Sequence, residues 1–203
     1  MPGTLTLPEG CFGLVLFAHG SGSSRFSLRN RFVAGKLYEL GLATLLFDLL
    51  TEEESLIDQK TAEYRFAIEL LAQRLIAAVD WACRQLELKA LPIGLFGAST
   101  GAAAALIAAA HRPKVVKAVV SRGGRPDLAQ QALAHVQAPT LLIVGSKDEV
   151  VLELNRKAAS LLQTHWRLEI LEGASHLFEE PGKLEQVAQL AGDWFCRYLS
   201  ALA

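Results

Sequence analysis

The chain has 203 residues and a formal net charge of −1, which argues against a nucleic acid or an anionic membrane surface as its partner. Hydrophobic residues make up 51% and charged residues 20%, the balance of an ordinary globular protein. The length predicts a single domain over residues 1–203, and no apolar stretch is long enough to span a bilayer.

The cysteines point to a reducing compartment. Cys11, Cys83 and Cys196 are far apart and odd in number, and they form no CxxC pair. The segment Met1–Gly10 has neither the basic nor the apolar region of a signal peptide. We therefore expect a cytoplasmic protein. Its histidines and acidic residues lack the spacing of a zinc site, so we expect neither a metal nor another cofactor.

The first half of the chain alternates apolar runs with helical patterns. Thr4–Leu7 predicts an edge strand, and the run Phe12–Ala18 is apolar on both faces, as a central parallel strand is. A small, glycine-rich loop, His19–Arg25, follows that run. The next predicted elements are a helix over Phe26–Leu40, a strand over Ala43–Asp48, an acidic loop over Thr51–Gln59 and a long amphipathic helix over Thr61–Leu88.

The second half continues the alternation. The predicted elements are a strand over Leu91–Phe96, a helix over Ala102–Ala110, a strand over Val115–Ser121, a short helix over Leu128–His135, a strand over Thr140–Gly145, a helix over Val150–Leu162, a strand over Arg167–Leu171 and a helix over Leu184–Ala201. This order predicts an α/β fold with one doubly wound, mostly parallel sheet and helices on both faces. Function in such sheets lies at the carboxyl ends of the strands.

A G-x-S-x-G pattern, Gly97-Ala98-Ser99-Thr100-Gly101, stands between a predicted strand and a predicted helix. In a nucleophile elbow the serine occupies a strained turn, and side chains two residues before and after it would collide with the neighbouring elements. The backbone N–H of Thr100 would then lie at a helix N-terminus and bind an oxyanion. The alternative is a turn without chemistry, in which Ser99 only caps the helix.

Two further loops supply the partners that a serine nucleophile needs. Ser99, Asp148 and His176 each follow a predicted strand, in the chain order of an α/β-hydrolase triad. Asp127 is a second candidate for the acid, because it follows the preceding strand. The pattern Gly-x-x-Asp directly after a buried strand favours Asp148.

With these motifs the chain resembles the α/β-hydrolase superfamily, and within it the small, lidless members similar to dienelactone hydrolase. The resemblance implies that Ser99 is the nucleophile, His176 the general base and Asp148 its orienting acid. It also implies a second oxyanion donor, the N–H of Ser21, with Gly22 as the alternative. Dienelactone hydrolase proper carries a cysteine nucleophile, whereas this chain has serine.

The resemblance also gives a structural role to His19, which in this superfamily holds the loop after the first central strand. Asp48 ends a strand on the same side of the sheet and is interpreted as a loop anchor. Four arginines stand near the predicted site: Arg25, Arg29, Arg122 and Arg125. Because guanidinium groups match carboxylates and phosphates, we hypothesise that Arg25, Arg122 or a neighbour binds an anionic substrate group, with Gly22 beside it. The alternative is salt bridging, for example between Arg125 and Asp127.

The sequence thus predicts a serine hydrolase that acts through an acyl-enzyme on a small ester, thioester or lactone, including anionic ones. Two alternatives stay open: a non-catalytic binding protein on a hydrolase fold, and an acyltransferase with the same triad. No segment before the Thr140 strand is long enough for a helical lid, so we expect a shallow, open site. Trp194, Phe195 and Tyr198 on the last helix either pack internally or form a dimer face, and internal packing is favoured. The sequence leaves both a monomer and a homodimer open.

Overall fold

The computed structural model describes residues 1–200. Its centre is one sheet of seven strands in the order β1-β3-β2-β4-β5-β6-β7. β1 pairs antiparallel with β3, and all other pairs are parallel. The strands are β1 Gly3–Thr6, β2 Gly13–Ala18, β3 Leu42–Phe47, β4 Ile93–Ala98, β5 Val116–Arg122, β6 Thr140–Gly145 and β7 Trp166–Leu171.

Helices cover both faces of this sheet. They are α1 Leu28–Glu39, α2 Glu52–Thr61, α3 Ile68–Ala82, α4 Thr100–His111, α5 Glu149–Ala159 and α6 Lys183–Leu199, with a 3₁₀ segment at Pro126–His135. α1 and α6 pack with one face of the strands in one core cluster, whereas α3, α4 and the 3₁₀ segment belong to the cluster on the other face. The predicted α/β architecture, doubly wound and mostly parallel, is confirmed.

The apolar runs occupy the middle of the sheet. Every residue of β2, β3, β4 and β6 is buried, which is why these strands read as continuous hydrophobic segments rather than alternating ones. β7 is an edge strand, and Trp166 and Ile170 on it stay exposed. On α6, Trp194 and Phe195 are buried against the sheet as expected, whereas Tyr198 is only half-buried.

The predicted acidic loop over Thr51–Gln59 is wrong, because this stretch begins helix α2. A capping box starts the helix: Thr51 Oγ1 accepts from the N–H of Glu54, and the Glu54 carboxylate accepts from the N–H of Thr51. The apolar residues Leu56 and Ile57 are exposed on α2. The helix therefore lacks the buried apolar face by which helices are usually predicted.

The predicted long helix over Thr61–Leu88 is also wrong at both ends, since α3 runs only from Ile68 to Ala82. Ala62 has φ 59° and ends α2. The Asp58 carboxylate then accepts from the N–H groups of Tyr64 and Arg65, which holds the connecting turn. The other predicted helices agree with the structure to within a few residues. The predicted helix over Leu128–His135 is a 3₁₀ segment that is kinked at Gln130. The predicted end of the last helix, Ala201, lies outside the described residues.

The sheet brings five predicted loops to one edge. The carboxyl ends of β2, β4, β5, β6 and β7 lead into the segments with His19, Ser99, Gly123, Asp148 and His176 respectively. None of the helices within residues 1–200 is long and apolar enough to cross a bilayer.

Candidate active site

Ser99 lies between the end of β4 and the start of α4, with φ 49° and ψ −122°. A positive φ is strained for a residue with a Cβ atom, and the tight packing on both sides maintains it. A Cβ on Gly97 would collide with the backbone of Ala102 in α4, and one on Gly101 would collide with the carbonyl oxygen of Ala18 in β2. The two glycines thus let α4 approach the sheet closely at Ser99.

His176 and Asp148 are in direct contact. His176 Nδ1 lies 2.6 Å from Asp148 Oδ2, and the carboxylate is the more buried partner. A proton on Nδ1 that is donated to Asp148 leaves Nε2 free to accept another proton. Asp127, the other candidate acid, instead accepts two hydrogen bonds from Arg125, at 2.9 and 2.8 Å.

The backbone after β5 connects Ser99 to His176. The N–H of Ser99 donates to the carbonyl of Arg122 (3.3 Å), and the N–H of Arg125 donates to the carbonyl of Ser99 (3.0 Å). A Cβ on Gly123, which has φ 50°, would lie 3.5 Å from His176 Nδ1. Within residues 1–200, no hydrogen bond joins Ser99 Oγ to His176. In enzymes, the hydrogen bond between a nucleophile and its base often tightens only when substrate is bound.

The loop after β2 lies against the elbow. A Cβ on Gly20 would be 2.9 Å from the Ser99 Cβ, and Ser21 Oγ is 3.1 Å from Thr100 Oγ1. Within residues 1–200 the backbone N–H of neither Ser21 nor Thr100 donates to another protein group. Gly22 has φ 64° and nothing near the position of a Cβ, which gives the loop its turn at that residue.

His19 supports this loop from beneath. It is 6% exposed, its Nε2 accepts from the N–H of Leu49 at 2.9 Å, and its Nδ1 is 3.0 Å from the carbonyl oxygen of Gly20. These bonds require one protonated and one unprotonated nitrogen, the neutral imidazole. Burial lowers the pKa of His19 below its usual value, in agreement with that state.

The four arginines near the site differ in their partners. Arg25 pairs with Asp48, whose carboxylate also accepts from the Arg25 N–H at 2.7 Å, so Asp48 anchors the loop. Arg125 pairs with Asp127. Arg29 reaches Glu179 at 3.3 Å, and Arg122 has no ion-pair partner among the residues that the structure describes.

With this geometry in place, comparison with known proteins decides the family. Residues 13–202 match the model of the dienelactone hydrolase family. The chain belongs to this family. A dienelactone hydrolase structure from Anabaena variabilis is 60% identical to it, covers 97% of this chain and 91% of its own, and superposes with a TM-score of 0.95. Est1E from Butyrivibrio proteoclasticus, 18% identical with a TM-score of 0.78 over 96% of this chain and 93% of its own, shares the fold.

Curated relatives of this family member are longer. Two proteins from Mycobacterium tuberculosis, strains H37Rv and CDC 1551, are each 58% identical over 197 residues, which is 97% of this chain but 44% of theirs. Each is described as a phosphoribosyl transferase. The chain thus spans less than half the length of these relatives.

A narrow cleft opens beside the loop after β2 of this dienelactone hydrolase family member. Its walls come from the loop after β2 and from α2 with the turn behind it, including Ser55, Asp58 and Arg65. Ser21 Oγ donates to the carbonyl of Arg65 at 3.4 Å. The sequence predicts an acidic loop over residues 51–59 that borders the mouth of the site, and the structure shows a helix there instead. The Thr51/Glu54 capping box was a readable signal of that helix.

Glu180 is a second residue that the sequence did not single out. Its carboxylate accepts from the N–H of Ser175 at 3.0 and 3.1 Å, directly before His176. The hydrogen bond from Ser175 lowers the pKa of Glu180, so the ionised side chain braces the histidine loop. No motif marks this residue, because the contact depends on how the loop folds.

The described residues contain no group of three or more histidine, cysteine or acidic side chains arranged for a metal ion. Cys11, Cys83 and Cys196 are free thiols, each half-buried.

Proposed function

We propose that this chain is a serine hydrolase that cleaves a small ester, thioester or lactone. The observation that carries the proposal is the His176–Asp148 pair, 2.6 Å between Nδ1 and Oδ2, at the same edge of the sheet as a serine held at a positive φ. A serine hydroxyl needs a base with a fixed tautomer, and this carboxylate fixes it. Membership of a hydrolase family supports the same conclusion.

In the proposed reaction, Ser99 Oγ attacks the carbonyl carbon while His176 Nε2 takes its proton. The carbonyl oxygen becomes an oxyanion, which the N–H groups of Ser21 and Thr100 stabilise. The imidazolium then protonates the leaving alcohol, thiol or ring oxygen as the carbon–heteroatom bond breaks. Water, deprotonated by His176, attacks the acyl-enzyme and releases the acid and Ser99.

The open surroundings favour a small acyl group. The α2 wall borders the site on one side. The segment between β5 and β6, where a lid could stand, contains only the 3₁₀ stretch Pro126–His135, which packs against the core through Leu133. No helical lid covers Ser99 among the described residues. A long acyl chain would gain little buried area on such a surface.

The test is hydrolysis of p-nitrophenyl esters from acetyl to octanoyl by the wild type, Ser99→Ala and Ser160→Ala. We expect turnover of the short esters, a loss of at least about a thousandfold in Ser99→Ala, and wild-type rates for Ser160→Ala, which changes an exposed serine directly after α5. Turnover that survives in Ser99→Ala would contradict the assignment. Inert protein whose Ser99 also resists a reactive-serine probe would favour the non-catalytic binding protein.

An acyltransferase would use the same triad with another acceptor in place of water. Adding a primary alcohol or an amine to the assay separates the two activities by their products. Free acid as the main product supports the hydrolase, and preferential acyl transfer to the acceptor at low concentration supports the transferase.

The longer relatives raise a second activity by their description as phosphoribosyl transferases. We attribute that description to the part of those proteins outside the match, because residues 13–202 correspond to a hydrolase family model. This chain alone is therefore expected to transfer no phosphoribosyl group from a phosphoribosyl donor to a base, a result that chromatography of the reaction mixture checks.

A further inference from the structure

Arg122 is a buried cation without a counterion. The residue, the last of β5, is 7% exposed. Its Nε atom is fully enclosed and has no hydrogen-bond partner, and no carboxylate within residues 1–200 forms an ion pair with it. An unpaired buried charge is costly, and burial together with the nearby charge of Arg29 lowers the pKa of Arg122 to about 10.

Arg29 adds a second cation to the same corner. It comes from the first turn of α1, and its Nε is likewise enclosed without a partner. Its Nη1 reaches only Glu179 Oε1, at 3.3 Å, and that carboxylate is 65% exposed. The pair Arg29–Arg122 therefore carries positive charge that the protein leaves largely uncompensated, unlike Arg125, which is paired with Asp127.

Arg122, the inner member of the pair, lies next to the proposed catalytic groups. The carbonyl of Arg122 accepts from the N–H of Ser99, and Gly123, the next residue, borders the His176 ring. The Arg122 Cζ lies 6.0 Å from the centre of the Phe178 ring, two residues beyond His176. A substrate acylated at Ser99 is therefore held at the same edge of the sheet as Arg122.

We propose that Arg122 and Arg29 bind a phosphate group on the substrate, an inference that rests on the proposed hydrolase function. Guanidinium groups donate paired hydrogen bonds that match phosphate oxygens. A phosphate monoester carries close to two negative charges at neutral pH and compensates both cations. A single carboxylate would leave one of them uncompensated.

The alternative role is structural, because both arginines also contact the loop that carries His176, through Phe178 and Glu179. Three p-nitrophenyl esters with the same leaving group separate the two roles: butanoate, hemisuccinate and 3-phosphonopropanoate. In Arg122→Gln and Arg29→Gln we expect the KM for the phosphono ester to rise at least about tenfold relative to the KM for butanoate. A brace for the histidine loop would instead lower kcat for all three esters alike.

Arg125→Gln is the matched control, because its guanidinium already has Asp127 as a partner. It should keep the wild-type ratio of the two KM values. Equal KM changes for neutral and phosphono esters in Arg122→Gln would overturn the proposal. A larger Arg122-dependent effect for the hemisuccinate than for the phosphono ester would overturn the assignment to phosphate.

Inorganic phosphate tests the pair without any hydrolysis. A ligand that binds the folded state raises Tm, so phosphate should raise the Tm of the wild type and of Arg125→Gln above a chloride control of equal ionic strength. The increase should vanish in Arg29→Gln and in Arg122→Gln. If Arg122→Gln does not fold, Arg122→Met takes its place, because methionine keeps most of the side-chain length and removes the charge. If no ester is turned over while this pattern holds, the hydrolase proposal fails and the anion site stands. A Tm increase retained in both arginine variants refutes the site.

Discussion

Two carboxylates near the candidate site have different neighbours and therefore different expected roles. Asp148 contacts His176, whereas Asp127 is occupied by the two hydrogen bonds from Arg125. A carboxylate against Nδ1 fixes the tautomer of the imidazole and stabilises the imidazolium that forms during the reaction. A carboxylate bound to a guanidinium does neither, so only Asp148 has the geometry of the orienting acid.

Asp148→Asn should therefore lower kcat for a short p-nitrophenyl ester by about 10³–10⁴-fold, because the amide no longer favours the reactive tautomer. Asp127→Asn is the matched control and should change kcat little, since it breaks only a partly exposed ion pair. Circular dichroism verifies that both variants fold. A larger loss in Asp127→Asn would assign the acid to the other loop.

The arginines show which part of the site the sequence could predict. Arg125 and Asp127 are two residues apart, so their salt bridge was a visible alternative. Arg25 and Asp48 are 23 residues apart and meet only because β2 and β3 are neighbours. The isolation of Arg122 depends on every surrounding segment at once, and no local pattern indicates it.

At the scale of elements, α2 is held by its ends rather than by an apolar face. The Glu54 carboxylate accepts two hydrogen bonds from Arg74 of α3, both 2.6 Å, in addition to the N–H of Thr51. Arg74 also donates to the carbonyl of Leu49. Arg74 thus ties α2, which forms a wall of the cleft, to α3 and to the chain after β3.

Glu54→Gln should lower the free energy of local opening of α2 at neutral pH by about 1 kcal/mol. Amide exchange over Glu52–Thr61 should therefore become about fivefold faster. The hydrogen bond from Arg74 lowers the pKa of Glu54 below its usual 4.5. The ionised carboxyl therefore stabilises the fold above pH 4.5, and this contribution is lost as the pH falls through the lower pKa of the folded state.

Glu53→Gln, one residue away in the same exposed first turn, serves as the control, because no side-chain hydrogen bond involves Glu53 within the described chain. Hydrogen exchange measured by mass spectrometry should show that the amides of α2 exchange at the wild-type rate in Glu53→Gln. Similar acceleration in both variants would show that net charge, rather than the Arg74 contact, holds α2.

The elements with buried apolar side chains were predicted correctly from the sequence, and those held by polar contacts were not. The central strands were predicted because burial on both faces produces unbroken apolar runs. α2 was missed because its apolar residues face solvent and its stabilising groups are polar. The start of α3 was misplaced because the turn at residues 62–67 depends on the buried Asp58 carboxylate, which looks like any other acid in the sequence.

At the scale of the whole molecule, the site depends on five loops that only the complete sheet brings together. The triad candidates are separated by 28 residues or more along the chain, as between Asp148 and His176. The alternation of strands and helices predicted this convergence, because parallel strands end at one edge of the sheet. The support beneath the loops comes from buried groups such as His19, whose bonds link β2 to the chain after β3.

Burial of neutral His19 links global stability to pH. Desolvation lowers its pKa in the folded protein below 6.5, so between that lower value and 6.5 the unfolded chain binds more protons than the folded one. The unfolding free energy must then decrease as the pH falls below 6.5, by at most about 1.4 kcal/mol per pH unit from this one group. Above pH 6.5 this contribution is fully present.

His19→Gln should flatten this dependence. Urea unfolding between pH 8 and pH 5 should show a less stable variant at pH 8 whose free energy decreases less steeply toward pH 5 than that of the wild type. His135→Gln, which replaces an exposed histidine, should retain the wild-type slope, because its side chain is hydrated in both states. Parallel curves for the wild type and His19→Gln would show that His19 takes up its proton without unfolding. The neutral imidazole could not then be what supports the loop after β2.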